Sequence, residues 1–153
     1  MGATTKTLYE TDFAEWSSQT ARKLRDGRLE DLDLENVAEE IESLGRNEHA
    51  AVRSQMKRLL MHKLKQTIQP ERDGASWRAS IADARQTILD HIEDSPSLRK
   101  YLRDNLQRFY RDAVELALIE TEQAAAADSV PSPVPVPRDC PWTLDALLKG
   151  DAG

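Results

Sequence analysis

The sequence predicts an all-α fold: a bundle of four to five main helices, then a proline-rich spacer and a short C-terminal helix docked on the body. Apolar residues recur at spacings of three and four along consecutive segments, and no segment alternates as a strand does. Glycine and proline separate these segments. We expect the helical bundle domain over residues 8–127, the spacer over 128–141, and the short helix, in the same domain, over 142–149.

The first helix is predicted from about residue 12 to 26, with Thr11 as its N-cap and Gly27 just past its end. One side of it carries Phe13, Trp16, Thr20 and Leu24. A second helix follows the cap residue Asp33, and Gly45 should either end it or kink it into the next helix. Its predicted core stripe is Val37, Ile41 and Leu44, and its acidic residues should face water: Glu35, Glu39, Glu40 and Glu42.

A third helical segment runs from residue 46 to 69, and Pro70 stops it. Its predicted inward-facing residues are Val52, Met56, Leu59, Leu60, Leu64 and Ile68. Residues 46–72 carry seven basic and two acidic residues, whereas residues 1–45 carry five basic and eleven acidic ones. Either these basic side chains pair with acids on packed helices, or they form a surface for a partner or RNA. The side chains concerned are Arg53, Lys57, Arg58, Lys63 and Lys65.

Two more helices complete the bundle. Ser76 is the predicted cap of the fourth, whose stripe is Trp77, Ile81, Ala84, Ile88 and Ile92, with Trp77 as the anchor of the core. Ser95 is the predicted N-cap of the fifth, which should extend to about Glu122 with Pro96 at its first position. Its stripe is Leu98, Leu102, Leu106, Phe109, Ala113, Leu116 and Ala117. Thr143 should cap the last helix, and these residues should pack on the body: Pro141, Trp142, Leu144, Leu147 and Leu148.

Composition limits the possible functions. The net charge is −6, which disfavours nucleic-acid binding because phosphate affinity needs a surplus of Lys and Arg. A single cysteine, Cys140, excludes an internal disulfide and fits a reducing compartment. No stretch approaches the roughly 20 apolar residues that span a bilayer, and the N-terminus lacks a secretion signal. We therefore expect a cytoplasmic protein without a membrane partner.

Several ordered motifs carry a resemblance to a known family. They are LENVAEEIESLGR, LLMHKLK, SWRASIADAR, DSPSLR and CPWTL. Together they resemble the bacterial family known as domain of unknown function 29. The resemblance implies a single compact helical domain with no assigned enzymatic role. The family's most distinctive positions, for which it implies structural or surface roles, fall on His62, Lys65, Trp77, Arg85, Tyr110 and Pro141. Two departures stand out: Gln66 occupies a position that is usually aromatic, and the proline-rich spacer is longer than usual.

The pattern of reactive residues predicts no metal and no cofactor. His49 and His62 lie thirteen residues apart, about 220° around one helix, so they cannot share a metal ion. There is no Glu-x-x-His pair of the kind that builds di-iron bundle sites. His62 is better interpreted as a packed or hydrogen-bonded histidine between helices. Cys140 lacks an adjacent base, so we expect it to help dock the terminal helix.

Without a convergent catalytic set, the sequence favours a non-enzymatic interaction or regulatory module. Its partner should be a protein, and a homodimer is a further possibility. The alternative is a ribonuclease similar to the helical HEPN class, with Arg85 stabilising the phosphorane and His91 acting as acid or base. Nucleic acid would be a partner only in this alternative.

Overall fold

The structure is a computed structural model that describes residues 5–128 and 135–150, with side chains up to Thr121 and from residue 135 onwards. Every regular element within these ranges is helical, which confirms the predicted all-α class. The helices are α1 (Leu8–Thr11), α2 (Phe13–Arg25), α3 (Leu34–Ile68), α4 (Ala75–Asp94), α5 (Ser97–Asp128) and α6 (Leu144–Lys149). Short 3₁₀ turns lie at Leu29–Asp31 and Pro70–Arg72. The chain divides into two compact units, Met1–Arg46 and Asn47–Gly153.

The first unit begins with a helical turn, α1, that is absent from the sequence prediction. Thr11 is the last residue of α1, and its hydroxyl donates a 3.0 Å hydrogen bond to the Thr7 carbonyl. The N-cap of α2 is Asp12, whose carboxylate accepts a hydrogen bond from the Glu15 amide. The predicted cap at Thr11 is therefore wrong by one residue. The predicted end is confirmed, because Gly27 follows α2 with a φ of 69°, a left-handed conformation that favours glycine.

The apolar stripes of the first unit are not buried. No described residue between positions 5 and 46 falls in the buried class. Ile41 and Leu44 are 64% and 67% exposed, so the predicted core stripe on the first turns of α3 is wrong. Phe13 and Leu24 on α2 are about half exposed, while Trp16 is half-buried. The helical spacing agrees with the prediction, but no element in the described part of this unit covers the stripe.

Helix α3 is one continuous helix where two had been predicted. Asp33 caps it as expected, accepting a hydrogen bond from the Asn36 amide. Gly45 neither ends the helix nor separates its two halves, and α3 continues to Ile68. A glycine inside a helix costs only about 1 kcal/mol, which the surrounding helix-forming residues offset. The 35-residue helix is roughly 50 Å long and contributes to both units.

The core lies in the second unit. All six inward-facing residues predicted for the later part of α3 are buried. On α4 the four aliphatic residues of the predicted stripe are buried, but Trp77 at its start is only half-buried. Helix α4 is capped by Gly74, so Ser76 lies inside the helix and its predicted cap is wrong. The loop conformation ahead of Ala75 decides this boundary, and the residue types do not reveal it.

Helix α5 completes the core, and two of its residues differ from the prediction. Leu116 is 47% exposed, although it was placed on the buried stripe. Tyr110 was not placed on that stripe, yet it is fully buried beside Phe109. Ser95 is the C-cap of α4, with its amide donating to the His91 carbonyl, and α5 starts two residues later. The helix also continues beyond the predicted end, to Asp128.

The C-terminal helix docks on the second unit as predicted. The Thr143 hydroxyl accepts a hydrogen bond from the Ala146 amide, and all three leucines of α6 are buried. Half-buried side chains before α6 also pack against the core: Val136, Cys140 and Trp142. Pro141 is exposed, so its predicted packing is wrong. Residues 129–134 of the predicted spacer lie outside the described part of the chain.

Candidate functional site

His62 occupies a partly buried position on α3. Its Nδ1 atom is buried and has no hydrogen-bond partner among the described residues, so the histidine is packed rather than hydrogen-bonded there. Burial lowers the pKa of His62 below the ordinary 6.5, and the nearby Lys65 and Arg58 charges lower it further, while Glu120 opposes the shift. The neutral imidazole is therefore favoured. Its position suits an interhelical histidine, as the sequence indicated.

Lys65 and Trp77 form one contact between three helices. The Lys65 ammonium lies 2.6 Å from a carboxylate oxygen of Glu120 on α5 and 4.7 Å from the centre of the Trp77 ring on α4. Only 13% of the Lys65 side chain is exposed. The positive charge is thus neutralised on one side and stacked on an aromatic face on the other. Trp77 covers this ion pair, so the predicted role as anchor of the core is wrong.

Two further family positions hold the C-terminal segment. The Arg85 Nε atom donates a 2.8 Å hydrogen bond to the Leu147 carbonyl in α6. The Tyr110 hydroxyl donates to the Pro137 carbonyl at 2.7 Å, and its ring meets Trp142 edge-on. Burial raises the pKa of Tyr110, as do the nearby Cys140 and Asp139. Arg85 and Tyr110 therefore help to hold α6 in position through these hydrogen bonds.

Arg85 and His91 are not brought together within this chain. They lie six positions apart on α4, about 240° around the helix, and so face different sides. Arg85 points to α6, whereas His91 Nδ1 lies 3.0 Å from a carboxylate oxygen of Glu48 on α3. Within one chain, this arrangement offers no shared position for a phosphodiester.

The basic part of α3 pairs with neighbouring helices. Lys57 lies 2.6 Å from Asp112 of α5, and Arg58 lies 2.7 Å from Asp83 of α4. With Lys65 and Glu120, these are three ion pairs that join α3 to its neighbours. The interpretation that basic side chains of this segment pair with acids on packed helices is therefore confirmed for Lys57, Arg58 and Lys65. Arg53 and Lys63 are half-buried on the same helix.

Cys140 is also engaged in packing. Its thiol donates a 3.3 Å hydrogen bond to the Trp142 carbonyl, and its amide donates to the Gln107 side chain. Burial raises the pKa of the thiol, although the hydrogen bond to Trp142 opposes the shift. A raised pKa keeps the thiol protonated and weakly nucleophilic.

Among the described residues, no group of three His, Cys, Asp or Glu side chains is arranged to hold a metal ion. Within the same residues, no helix combines the length and apolarity that crossing a membrane requires.

An open apolar groove lies in the first unit, between α2 and the first turns of α3. It encloses about 200 Å³, and its residues are Trp16, Ser17, Thr20, Ala21, Leu24, Val37, Glu40, Ile41 and Leu44. These include the α3 stripe that was predicted to be core and three of the four residues predicted on one side of α2. The sequence therefore identified most of the groove residues but assigned those of the α3 stripe to the interior. Helical spacing shows which residues share a face, whereas the neighbouring elements decide whether that face is covered.

Comparison with known proteins agrees with the fold. A family model described as "Domain of unknown function DUF29" matches residues 8–152. No curated protein matches the chain. Among solved structures, it is similar to an alpha-helical protein of unknown function from Rhodospirillum rubrum, with 28% sequence identity and a TM-score of 0.64. The similarity covers 96% of this chain and 92% of that one.

Proposed function

The chain belongs to the family of the domain of unknown function DUF29, and since that membership assigns no activity, we propose a function from the geometry: the protein is an interaction module. Its first unit binds an amphipathic helix of a partner protein. The occupant is a helix with an apolar stripe and basic flanks. The groove between α2 and α3 is the binding surface.

The exposure of Ile41 and Leu44 carries this proposal. Both face a groove with mainly apolar lining, yet about two thirds of each side chain is exposed. Scattered exposed leucines are common on protein surfaces, but adjacent ones in a concave site mark interaction surfaces. Complete burial of such a side chain contributes roughly 1.5–3 kcal/mol. A partner that covers the groove would gain part of this free energy.

The shape of the groove favours a helix as its occupant. Two helices form its walls, with Trp16, Thr20 and Leu24 on α2 spaced four residues apart. Ile41 and Leu44 on α3 are three residues apart. A third helix whose apolar residues recur at i, i+3, i+4 and i+7 would match these ridges.

Charge decides which helix fits. Residues 1–46 carry eleven acidic and six basic residues, and Glu40 lies in the groove itself. Complementarity therefore favours Lys and Arg on the polar face of the partner. The same imbalance disfavours a second copy of this unit, because two acidic surfaces would repel each other.

The test is binding of synthetic helical peptides to the full chain, measured by fluorescence anisotropy. One peptide carries leucines at the four ridge positions with Lys and Arg elsewhere, and a second carries Glu in place of Lys and Arg. We expect the basic peptide to bind and the acidic one not to bind. The double variant Ile41→Ser/Leu44→Ser should weaken binding at least about tenfold, because two central apolar contacts are lost.

Leu116→Ser is the matched control, since Leu116 is an exposed leucine on α5, outside the groove. It should leave the affinity for the basic peptide unchanged. Serine at Ile41 and Leu44 should barely change the unfolding free energy, because both side chains are exposed. Equal binding by wild type and the double variant would overturn the proposal. The proposal would also be overturned if sedimentation showed that the wild type is a dimer and the double variant a monomer. A second copy of the chain would then occupy the groove.

A further inference from the structure

A second cavity, of about 330 Å³, lies in the second unit. Its walls are Gln66 on α3, Asp73 in the turn before α4, and Arg78, Ile81 and Arg85 on α4. The volume falls at the lower end of the range for small-molecule sites. Its lining is polar, unlike that of the groove in the first unit.

Helix geometry directs two guanidinium groups to this cavity. Arg78, Ile81 and Arg85 stand at positions i, i+3 and i+7 of α4, so all three project from the same face. The two arginines lie about 10 Å apart along the helix axis, with the isoleucine between them. Each guanidinium supplies a positive charge and N–H donors in a planar fork.

Arg85 is oriented by α6 and has no counter-charge among the described residues. Its Nε atom donates to the Leu147 carbonyl, which fixes the plane of the guanidinium. No carboxylate lies within salt-bridge distance of it in the part of the chain that the structure describes. The Nη atoms therefore have donor capacity to spare in a half-buried position. No described carboxylate offsets the cost of holding this charge in a half-buried position, and a bound anion would do so.

Gly150 lies close beside this group. A Cβ atom at Gly150 would lie 3.2 Å from Arg85 Nη1, so a side chain there would crowd the guanidinium. The φ of 79° at Gly150 favours glycine independently.

Asp73 is the one acidic residue among the described walls of the cavity, and its carboxylate already has two partners. Its carboxylate accepts a 2.9 Å hydrogen bond from Gln66 Nε2, and Arg78 Nη1 lies 3.3 Å from its other oxygen. Two arginines and one aspartate leave the cavity with a net positive charge. Arg78 is 62% exposed and is held by a single long contact, so it can turn towards a ligand.

We propose that this cavity binds the oxyanion group, carboxylate or phosphate, of a small molecule. The Nη donors of Arg85 hold two oxygens of the anion in a fork, and Arg78 supplies the second positive charge. Asp73 opposes the anion and limits its affinity. The site is independent of the groove in the first unit.

The experiment is titration of the full chain with inorganic phosphate and, separately, with succinate, followed by ¹H–¹⁵N spectra that include the arginine Nε–H signals. Sodium chloride at equal ionic strength is the reference for screening. We expect a saturable shift of the Arg85 Nε–H signal with at least one oxyanion and none with chloride. Whichever titration saturates identifies phosphate or carboxylate as the group that is bound.

Three substitutions test the assigned roles. Arg78→Gln keeps the Arg85 bond to α6 and should weaken binding at least about tenfold, the usual effect of losing a charge-assisted contact. Arg85→Lys keeps the charge but loses the fork and should weaken it similarly. Asp73→Asn should strengthen binding severalfold, because it removes the opposing charge. A purely structural role of these residues would not produce that gain.

Arg99→Gln is the matched control. Arg99 also contacts α6, through Asp145 at 3.2 Å, but does not line the cavity. It should leave anion affinity unchanged. The proposal is overturned if neither oxyanion gives a saturable shift or if chloride gives the same shift. It is equally overturned if Arg99→Gln weakens binding as much as Arg85→Lys, since loosening of α6 would then explain both.

Discussion

The Tyr110 hydroxyl donates a 2.7 Å hydrogen bond to the Pro137 carbonyl and ties α5 to the segment that leads into α6. The Tyr110 ring itself is fully buried. One side chain thus fills the core and also satisfies a backbone carbonyl 27 residues further along the chain. Together with Arg85 and Leu147, it fixes where the last helix docks.

Tyr110→Phe should lower the free energy of unfolding by about 1 kcal/mol, because it removes one hydrogen bond and leaves the ring in place. Hydrogen exchange should become faster at the Cys140 and Leu147 amides. Tyr101→Phe is the control, since Tyr101 packs on His49 and Phe109 away from this segment. Exchange that accelerates equally in both variants would contradict a local role for the hydroxyl.

Leu147→Ala should cost about 2–5 kcal/mol, as is usual for a fully buried leucine. Deletion of residues 139–153 should lower the melting temperature for the same reason. The control Leu116→Ala removes a leucine that is 47% exposed and should cost much less. Thermal and urea denaturation measure both. Unchanged stability after the deletion would mean that α6 does not contribute to the fold in solution.

Trp77→Ala should cost about 1–2 kcal/mol, which is less than the 3–5 kcal/mol typical of a buried aromatic. The ring is half-buried and stacks under Lys65, outside the main core. Phe109→Ala, at a fully buried position, should reach the higher range. Urea denaturation of the two variants compares them directly. Equal losses would show that Trp77 is part of the core after all.

His62 should make stability depend on pH. Burial lowers its pKa in the folded state, so the unfolded state binds more protons below the ordinary value of 6.5. The stability that the folded state gains from a neutral His62 is fully present above pH 6.5. It is lost as the pH falls from 6.5 towards the pKa of His62 in the folded state. His62→Leu should flatten this part of the profile. Urea denaturation at pH 7.5, 6.5 and 5.5 tests it, and identical profiles would contradict the assignment.

Purified protein should leave RNA intact. Arg85 and His91 face different sides of α4, so a single chain offers no combined acid–base and charge-stabilising site. Incubation with total RNA, beside the Arg85→Ala/His91→Ala variant, measures this. Cleavage by the wild type that disappears in the double variant would revive the ribonuclease alternative, with residues contributed by two subunits.

Most of the apolar residues that form the core of the second unit could be predicted from the sequence, whereas the stripe predicted to be core in the first unit is exposed. Val52 to Ile68 on α3 and Ile81 to Ile92 on α4 have the same helical spacing as Val37 to Leu44. The first two sets meet further helices and are buried, whereas Ile41 and Leu44 line an open groove. Spacing defines a face, but burial depends on what packs against it.

The candidate sites were less predictable. The sequence marked Arg85 and Trp77 as distinctive, yet nothing in it shows that one holds α6 and the other covers Lys65. Gln66, Asp73 and Arg78 were not singled out as ligands. A turn brings them together with Arg85, and the local pattern of residue types contains no signal for that arrangement.

The sequence by itself determined the helical class, the end of α2 at Gly27, the cap of α6 at Thr143 and the family. These depend on local backbone preferences, side-chain spacing and ordered motifs, which act within a few residues. Only the tertiary structure decided that Tyr110 is buried and that the stripe of the first unit stays exposed. Each of these depends on contacts, or their absence, between residues far apart in the chain, because burial is a property of neighbouring elements rather than of residue type.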